Sequence, residues 1–174
     1  MIRSNFKILI CLLCLLLAQN VFASEDFSKL AVAYYSDNNI EKTIECLKNI
    51  PDDEKTAQDL LLLGNALDEI GDKDKALILY TKALKLEPNY YKAYYNLANI
   101  FAVYEDYVSA LTYYEKSVQY RPAFMNARIA LGILLSEKFF EYDRAIKEYN
   151  LAIECQGKQH FEPSEFFNQD ATFE

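Results

Sequence analysis

Small and large apolar residues recur along this chain at a spacing of 34 residues. Each copy has a Leu followed by a small residue, then an Ala and a Tyr, and the first two copies end in a Pro at the same offset. The members are Leu63-Gly64, Ala76, Tyr80 and Pro88, then Leu97-Ala98, Ala110, Tyr114 and Pro122, then Leu131-Gly132 with Ala145 and Tyr149 displaced by one residue. We place that extra residue in the turn around residues 138–143. A period of this length predicts a supersecondary unit repeated along the chain.

Each period is predicted to hold two helices that pack as a hairpin. Good helix formers fill most segments, and the whole chain has only four Gly and four Pro. Gly71-Asp72 stands where a first helix must stop, because Gly supplies the left-handed conformation that ends a helix. Pro88 and Pro122 close the second helices, since the residue before a proline resists the α region. Small residues at fixed positions let helix axes approach to about 8 Å.

This order of positions resembles the tetratricopeptide repeat (TPR), whose pattern runs from an aromatic through Leu-Gly, Tyr, Ala and Phe to Pro. Residues 57–90, 91–124 and 125–157 form three copies, and residues 24–56 form a degenerate one. Two positions depart from the pattern: Glu105-Asp106 replaces the Gly-Asp turn, and Arg128 replaces an aromatic. The resemblance implies an all-α fold, a right-handed α-solenoid of about four TPR helical hairpins. Residues 158–174 are then a C-terminal tail or a short capping helix.

The residue pattern of the N-terminus is typical of a signal for export. Arg3 and Lys7 precede an apolar run over residues 8–18, and Val21-Phe22-Ala23 ends in a small residue suited to signal peptidase. Residues 1–23 are therefore predicted to be a signal peptide cut after Ala23. An uncleaved membrane anchor is the alternative, although the run is shorter than the roughly 20 residues that span a bilayer. We expect a periplasmic or secreted protein of bacterial origin.

The excess of acidic over basic residues limits the classes of partner that the protein is expected to bind. The chain has 18 Lys and Arg against 26 Asp and Glu, and loss of Arg3 and Lys7 with the signal would leave 16 against 26. An acidic chain without a basic stripe is not expected to bind nucleic acid, because phosphate neutralisation needs Lys and Arg. Stable membrane insertion after signal cleavage is not expected either. The expected partner is a protein or peptide.

No constellation of residues predicts catalysis. His160 is the one histidine, and the sequence has no zinc-type Cys spacing, no CxxC pair and no Gly-rich phosphate loop. We therefore predict no enzyme activity, no cofactor, no metal and no small-molecule substrate. Cys46 and Cys155 lie in repeats too far apart for a disulfide within the chain, so both are predicted to be free thiols. The alternative is an intermolecular disulfide that crosslinks a dimer.

The resemblance also implies a concave groove lined by the first helix of each hairpin. The groove positions map onto Gln58, Leu61, Asn65, Asp68, Glu69, Lys92, Tyr95, Asn99, Ala102, Val103, Asn126, Ile129, Ile133, Ser136 and Glu137. The residues assigned to protein binding are Leu61, Asn65, Lys92, Tyr95, Asn96, Asn99, Ile129 and Ile133.

Two lines of this set suit a peptide ligand. Leu61, Tyr95 and Ile129 form an apolar stripe for hydrophobic anchors, and Asn65 and Asn99 form an amide pair that can contact a peptide backbone. An alternative is that the stripe packs against adjacent helices or the tail.

One TPR specialisation, the carboxylate clamp for chaperone C-termini, is matched only in part. Asn65 and Asn96 correspond to its asparagines, but Leu61, Asn126 and Ala130 stand where that subfamily has cations. Chaperone-tail binding is therefore disfavoured. The function expected is that of an exported protein-protein interaction module, an adaptor or assembly factor that binds a protein segment in the groove. The alternative is an exported chaperone or holdase.

Overall fold

A computed structural model describes residues 24–161, with the backbone alone for residues 158–161. The predicted signal peptide and the chain beyond residue 161 lie outside the described residues. The all-α prediction is confirmed, since the described chain contains helices and no strands. The elements are α1 (residues 24–36), α2 (Ile40–Lys48), α3 (Ala57–Glu69), α4 (Lys73–Leu86), α5 (Tyr91–Val103), α6 (Tyr107–Tyr120), α7 (Met125–Leu134), a π-helical turn (Leu135–Phe139) and α8 (Tyr142–Phe161).

The helices form two compact units that divide between Glu87 and Pro88. Unit 1 contains the hairpins α1–α2 and α3–α4, and unit 2 contains the hairpins α5–α6 and α7–α8. The fourth hairpin is longer than the predicted 125–157, because α8 continues to Phe161. No helix of residues 24–161 has both the length and the apolar character needed to cross a bilayer.

A left-handed residue separates the two helices of every hairpin. Positive φ angles occur at Asn38 (58°), Gly71 (89°), Glu105 (61°) and Phe140 (57°). In the first three turns the next residue caps the second helix, since the side chains of Asn39, Asp72 and Asp106 accept backbone N–H bonds. Glu105 thus takes the conformation that Gly71 takes one repeat earlier, at the energetic cost that a Cβ carries there.

The extra residue of the fourth hairpin is absorbed over residues 135–139, which overlap the start of the predicted turn at residues 138–143. Leu131-Gly132 keep the register of Leu97-Ala98, whereas the left-handed Phe140 comes one residue late relative to Glu105. Between them the chain forms the π-helical turn Leu135–Phe139. A π turn absorbs one added residue while the helix continues, so the insertion widens the end of α7 and the following turn keeps its form.

Close contacts between the two helices of a hairpin explain the small residues. A Cβ on Gly64 would lie 2.5 Å from Cε1 of Tyr80, and a Cβ on Gly132 would lie 2.6 Å from Cε1 of Tyr149. Tyr80 is almost fully buried at 1% exposure, so its ring has no room to move. At the same repeat position Ala98 belongs to a buried cluster with Tyr114, where a methyl group fits.

Arg128 occupies an aromatic position of the repeat pattern and makes the same kind of hydrogen bond as the aromatic residue one repeat earlier. Tyr94 holds that position one repeat earlier and donates its hydroxyl to the Pro88 carbonyl at 3.1 Å. Arg128 is buried, donates Nε to the Pro122 carbonyl at 2.6 Å and pairs with Glu148. The departure therefore keeps the bond that ties the first helix to the preceding turn.

Both cysteines of the described chain are free. Cys46 is buried in unit 1, where burial raises the pKa of its thiol. Cys155 is half-buried in α8 of unit 2. The prediction of two free thiols agrees with this arrangement.

Candidate protein-binding surface

The two assigned residues of unit 1 are largely engaged inside the fold. Leu61 is only 7% exposed, so most of its side chain packs in the core of unit 1. Asn65 is half-buried, and its Oδ1 accepts the hydroxyl of Tyr80 at 2.9 Å. Leu61 therefore packs against neighbouring helices of unit 1, as in the alternative given for the apolar stripe, and offers little surface to a ligand.

The other side of the Asn65 amide is engaged as well. Asn65 hydrogen-bonds to Tyr35 of α1, and Tyr35 in turn donates its hydroxyl to Glu69. Burial, together with the bond to Glu69, raises the pKa of Tyr35, whereas the bond from Asn65 lowers it. The hydroxyl stays protonated at neutral pH, and a continuous chain of side-chain hydrogen bonds runs from Tyr80 through Asn65 and Tyr35 to Glu69.

In unit 2, Tyr95 and Asn99 converge on one buried residue, Tyr114 of α6. The Tyr114 hydroxyl donates to Asn99 Oδ1 at 2.6 Å. The rings of Tyr95 and Tyr114 are tilted against each other with centroids 5.9 Å apart, and Tyr95 also meets Phe124 edge-on at 5.2 Å. Burial first, and then the neighbouring Tyr95, raises the pKa of Tyr114, which keeps its hydroxyl a donor. The Asn99 oxygen is therefore committed, and its amide nitrogen is the donor that remains for a ligand.

Tyr114 also forms one wall of a cleft of about 370 Å³ beside Ile133. Small residues of two first helices, Ala102 and Ala130, give the cleft its depth, and Glu137 and Lys138 stand at its edge. Ile133 is 44% exposed. This concavity suits an apolar side chain with a polar group beside it.

The other assigned residues of unit 2 lie on α5 and α7. Ile129 is 39% exposed on α7, one turn before Ile133. Lys92 and Asn96 are half-buried on α5, with the Lys92 ammonium 5.8 Å from the ring centre of Tyr91. Unit 2 therefore carries six of the eight assigned residues.

The sequence analysis did not assign several residues of the cleft to ligand contact, among them Tyr107 and Lys138. Tyr107 of α6 lines the cleft, and the Lys138 ammonium lies 4.8 Å from its ring centre. Tyr107 belongs to a second helix, which the repeat resemblance does not assign to ligand contact. Lys138 lies in the π turn, and the sequence predicts an extra residue in this region without predicting the π-helical form. No group of side chains in residues 24–157 has the arrangement of a metal site.

Comparison with known proteins identifies the repeat. Residues 57–90 match a tetratricopeptide-repeat profile, and residues 79–112 match a second one. Photosystem I assembly protein Ycf3 of Acaryochloris marina is 35% identical over 133 residues, which cover 67% of this chain and 80% of that protein.

Two further likenesses differ in extent. UDP-N-acetylglucosamine–peptide N-acetylglucosaminyltransferase of Giardia intestinalis is 33% identical over 73 residues, so the match covers 42% of this chain but only 5% of that enzyme. The crystal structure of MamA superposes with a TM-score of 0.69 at 27% identity, over 79% of this chain and 80% of that one. With the repeat profiles and the Ycf3 likeness, the chain belongs to the tetratricopeptide-repeat family.

Proposed function

We propose that this protein is an interaction module, an adaptor or assembly factor without enzymatic activity, that binds a segment of a partner protein on unit 2. The binding surface is the α5–α7 face, which consists of Lys92, Tyr95, Asn96, Asn99, Ile129 and Ile133. One observation carries the proposal: Tyr114 contacts Tyr95, donates a hydrogen bond to Asn99 and lines the cleft beside Ile133.

The chemistry of this face fits an extended segment with an apolar anchor. The cleft accepts the anchor, since Ala102, Ala130 and Ile133 offer it apolar surface. Asn99 offers an N–H donor to a backbone carbonyl, because Tyr114 holds its oxygen. Backbone contact of this kind is insensitive to sequence, whereas the cleft selects for side-chain size.

The name of one relative supports the assembly role. Ycf3 of Acaryochloris marina is called a photosystem I assembly protein, and this chain covers 80% of its length. We carry over the class of role only, that of a protein that helps other proteins assemble. The α5–α7 face of this chain would select its own partner.

The proposal is tested by site-specific photocrosslinking in the cells that naturally make the protein. A photoreactive phenylalanine analogue replaces Ile133, and in a matched control it replaces Ile153, which is 66% exposed on α8 of the same unit. We expect a discrete crosslinked protein from position 133 and none from position 153. Identical products from both positions, or none from either, would contradict the assignment of the face.

We also propose that the protein acts outside the cytoplasm. The support is the pattern of Arg3, Lys7, the apolar run over residues 8–18 and Ala23. The intact mass of the protein from its native cells tests this. A mass lacking residues 1–23 is expected, and a mass that retains them would contradict signal cleavage.

A further inference from the structure

Unit 1 contains a second cleft of about 370 Å³ with an apolar floor. The floor is made by Leu60 and Leu63 of α3 and by Leu79 and Leu86 of α4. Leu60 and Leu63 are buried, whereas Leu86 at the edge is 59% exposed. An apolar side chain that enters the cleft would therefore lose water contact against these leucines.

Lysines surround this floor on two different helices. Lys48 ends α2, Lys82 and Lys85 belong to the second half of α4, and all three are exposed. None of them forms a salt bridge with a residue of the described range 24–161.

The one acidic residue at this cleft is already neutralised. Asp52 pairs with the buried Lys55, whose ammonium lies 2.7 Å from Asp52 Oδ1 and 2.5 Å from the Ile50 carbonyl. The hydrogen bond from Lys55, with the charge of Lys82 adding to it, holds the pKa of Asp52 below its ordinary value. Lys48, Lys82 and Lys85 thus give the rim of the cleft a positive charge in a chain whose formal charge is −8.

The cleft does not overlap the residues that the repeat resemblance assigns to ligand contact. On α3 the residues assigned to protein binding are Leu61 and Asn65, and the 3.6-residue period puts them on the side of the helix opposite Leu60 and Leu63. The cleft also belongs to unit 1, whereas the proposed α5–α7 face belongs to unit 2.

We propose that this lysine cleft binds an acidic segment of a partner protein, with one aliphatic or aromatic side chain of the segment on the leucine floor. Charge complementarity selects the occupant. Three cations on two helices match a ligand that carries several carboxylates, as an Asp- and Glu-rich peptide does, better than a lipid headgroup with one or two charges. The proposal is independent of the α5–α7 face.

The test is fluorescence anisotropy with the full-length protein and a labelled peptide of sequence EDELFEDE. Two variants, Lys82→Glu and Lys85→Glu, reverse rim charges at exposed positions. Lys147→Glu makes the same change in net charge on an exposed position of α8 in unit 2 and serves as the control. A second peptide, EDEGGEDE, keeps the charges and removes the apolar anchors.

We expect EDELFEDE to bind more weakly as NaCl rises from about 50 to about 500 mM, since salt screens exposed charges. Each rim variant should weaken binding about threefold or more, and Lys147→Glu by less than about twofold. EDEGGEDE should bind about fivefold more weakly than EDELFEDE.

Three results would overturn the proposal. One is the absence of EDELFEDE binding. Another is an equal loss in the rim variants and in Lys147→Glu, which would mean that net charge alone acts. The third is direct binding of dodecanoate that is lost in Lys82→Glu and Lys85→Glu while peptide binding is unchanged in both variants, which would assign the cleft to a lipid.

Discussion

Asn65 of unit 1 and Asn99 of unit 2 stand at the same position of successive repeats, and each accepts a hydroxyl from the tyrosine of its second helix. Beyond that bond they differ. Asn65 also bonds to Tyr35, which continues to Glu69. The side chain of Asn99 has no second hydrogen bond among residues 24–161. The same residue in the same register is a part of the fold in unit 1 and a candidate ligand contact in unit 2.

The apolar residues at the assigned positions also differ: the one in unit 1 is buried, whereas those on α7 of unit 2 are exposed. In unit 1, Leu61 is buried beside Asn65, and the lysine cleft lies on the opposite side of α3. In unit 2, Ile129 and Ile133 remain about 40% exposed, at 39% and 44%. Repeat register therefore indicates which residues share a position, while the neighbours within each unit decide what that position does.

The largest effect on stability is expected at the tightest helix contact of unit 1. In Gly64→Ala the new methyl group meets the buried ring of Tyr80, and relieving that contact should lower the free energy of unfolding by about 2 kcal/mol. The control is Gly157→Ala, where a Cβ meets nothing within 4 Å. That change should raise stability by up to about 1 kcal/mol through helix propensity. Urea denaturation measures both, and equal shifts would remove the basis for the close contact.

A smaller difference is expected between the two asparagines. Asn65→Ala removes the acceptor of the Tyr80 hydroxyl and a bond to Tyr35, so it should cost about 2 kcal/mol of unfolding free energy. Asn99→Ala removes the one bond with Tyr114 and should cost about 1 kcal/mol. Asn126→Ala, at an exposed position of α7, should change little. Equal costs at Asn65 and Asn99 in thermal or urea unfolding would refute the difference between the units.

The smallest effect is expected at the left-handed turns. Glu105→Gly relieves a side chain at φ 61° and should stabilise the protein by about 0.5 kcal/mol after the added flexibility of the unfolded chain is counted. The reciprocal change, Gly71→Glu at φ 89°, should destabilise it by about 1 kcal/mol. Opposite signs in calorimetric melting support one shared turn conformation. If both variants moved stability in the same direction, the turns of the two units would not be equivalent.

Most of the fold follows from local sequence rules. The period of Leu-Gly or Leu-Ala pairs, the Gly71-Asp72 turn and the closing prolines act within one hairpin, so their consequences can be read from the chain. The one-residue displacement of Ala145 also places an extra residue near residue 138, but the sequence does not show that a π-helical turn absorbs it. A π turn and a longer loop both absorb one residue, and only packing of the α7 end selects between them.

The candidate site was less predictable, because it depends on contacts between hairpins. Asn65 and Asn99 are indistinguishable by register, and the bond that separates them comes from Tyr35, thirty residues earlier on another hairpin. The stacking of Lys138 on Tyr107 likewise joins two hairpins. The lysine cleft combines α2, α3 and α4. Lys48 and Lys82 lie one period of 34 residues apart, but that spacing alone does not show that they border one cleft.

The most direct test of the central claim compares two exposed isoleucines of unit 2 in binding to the partner captured at position 133. Ile133→Glu places a charge in the cleft of the α5–α7 face, and Ile153→Glu places the same charge on α8. Isothermal titration calorimetry should show that Ile133→Glu weakens the partner at least about tenfold while Ile153→Glu leaves its affinity within about twofold. Equal affinities for the two variants would move the binding surface off the α5–α7 face.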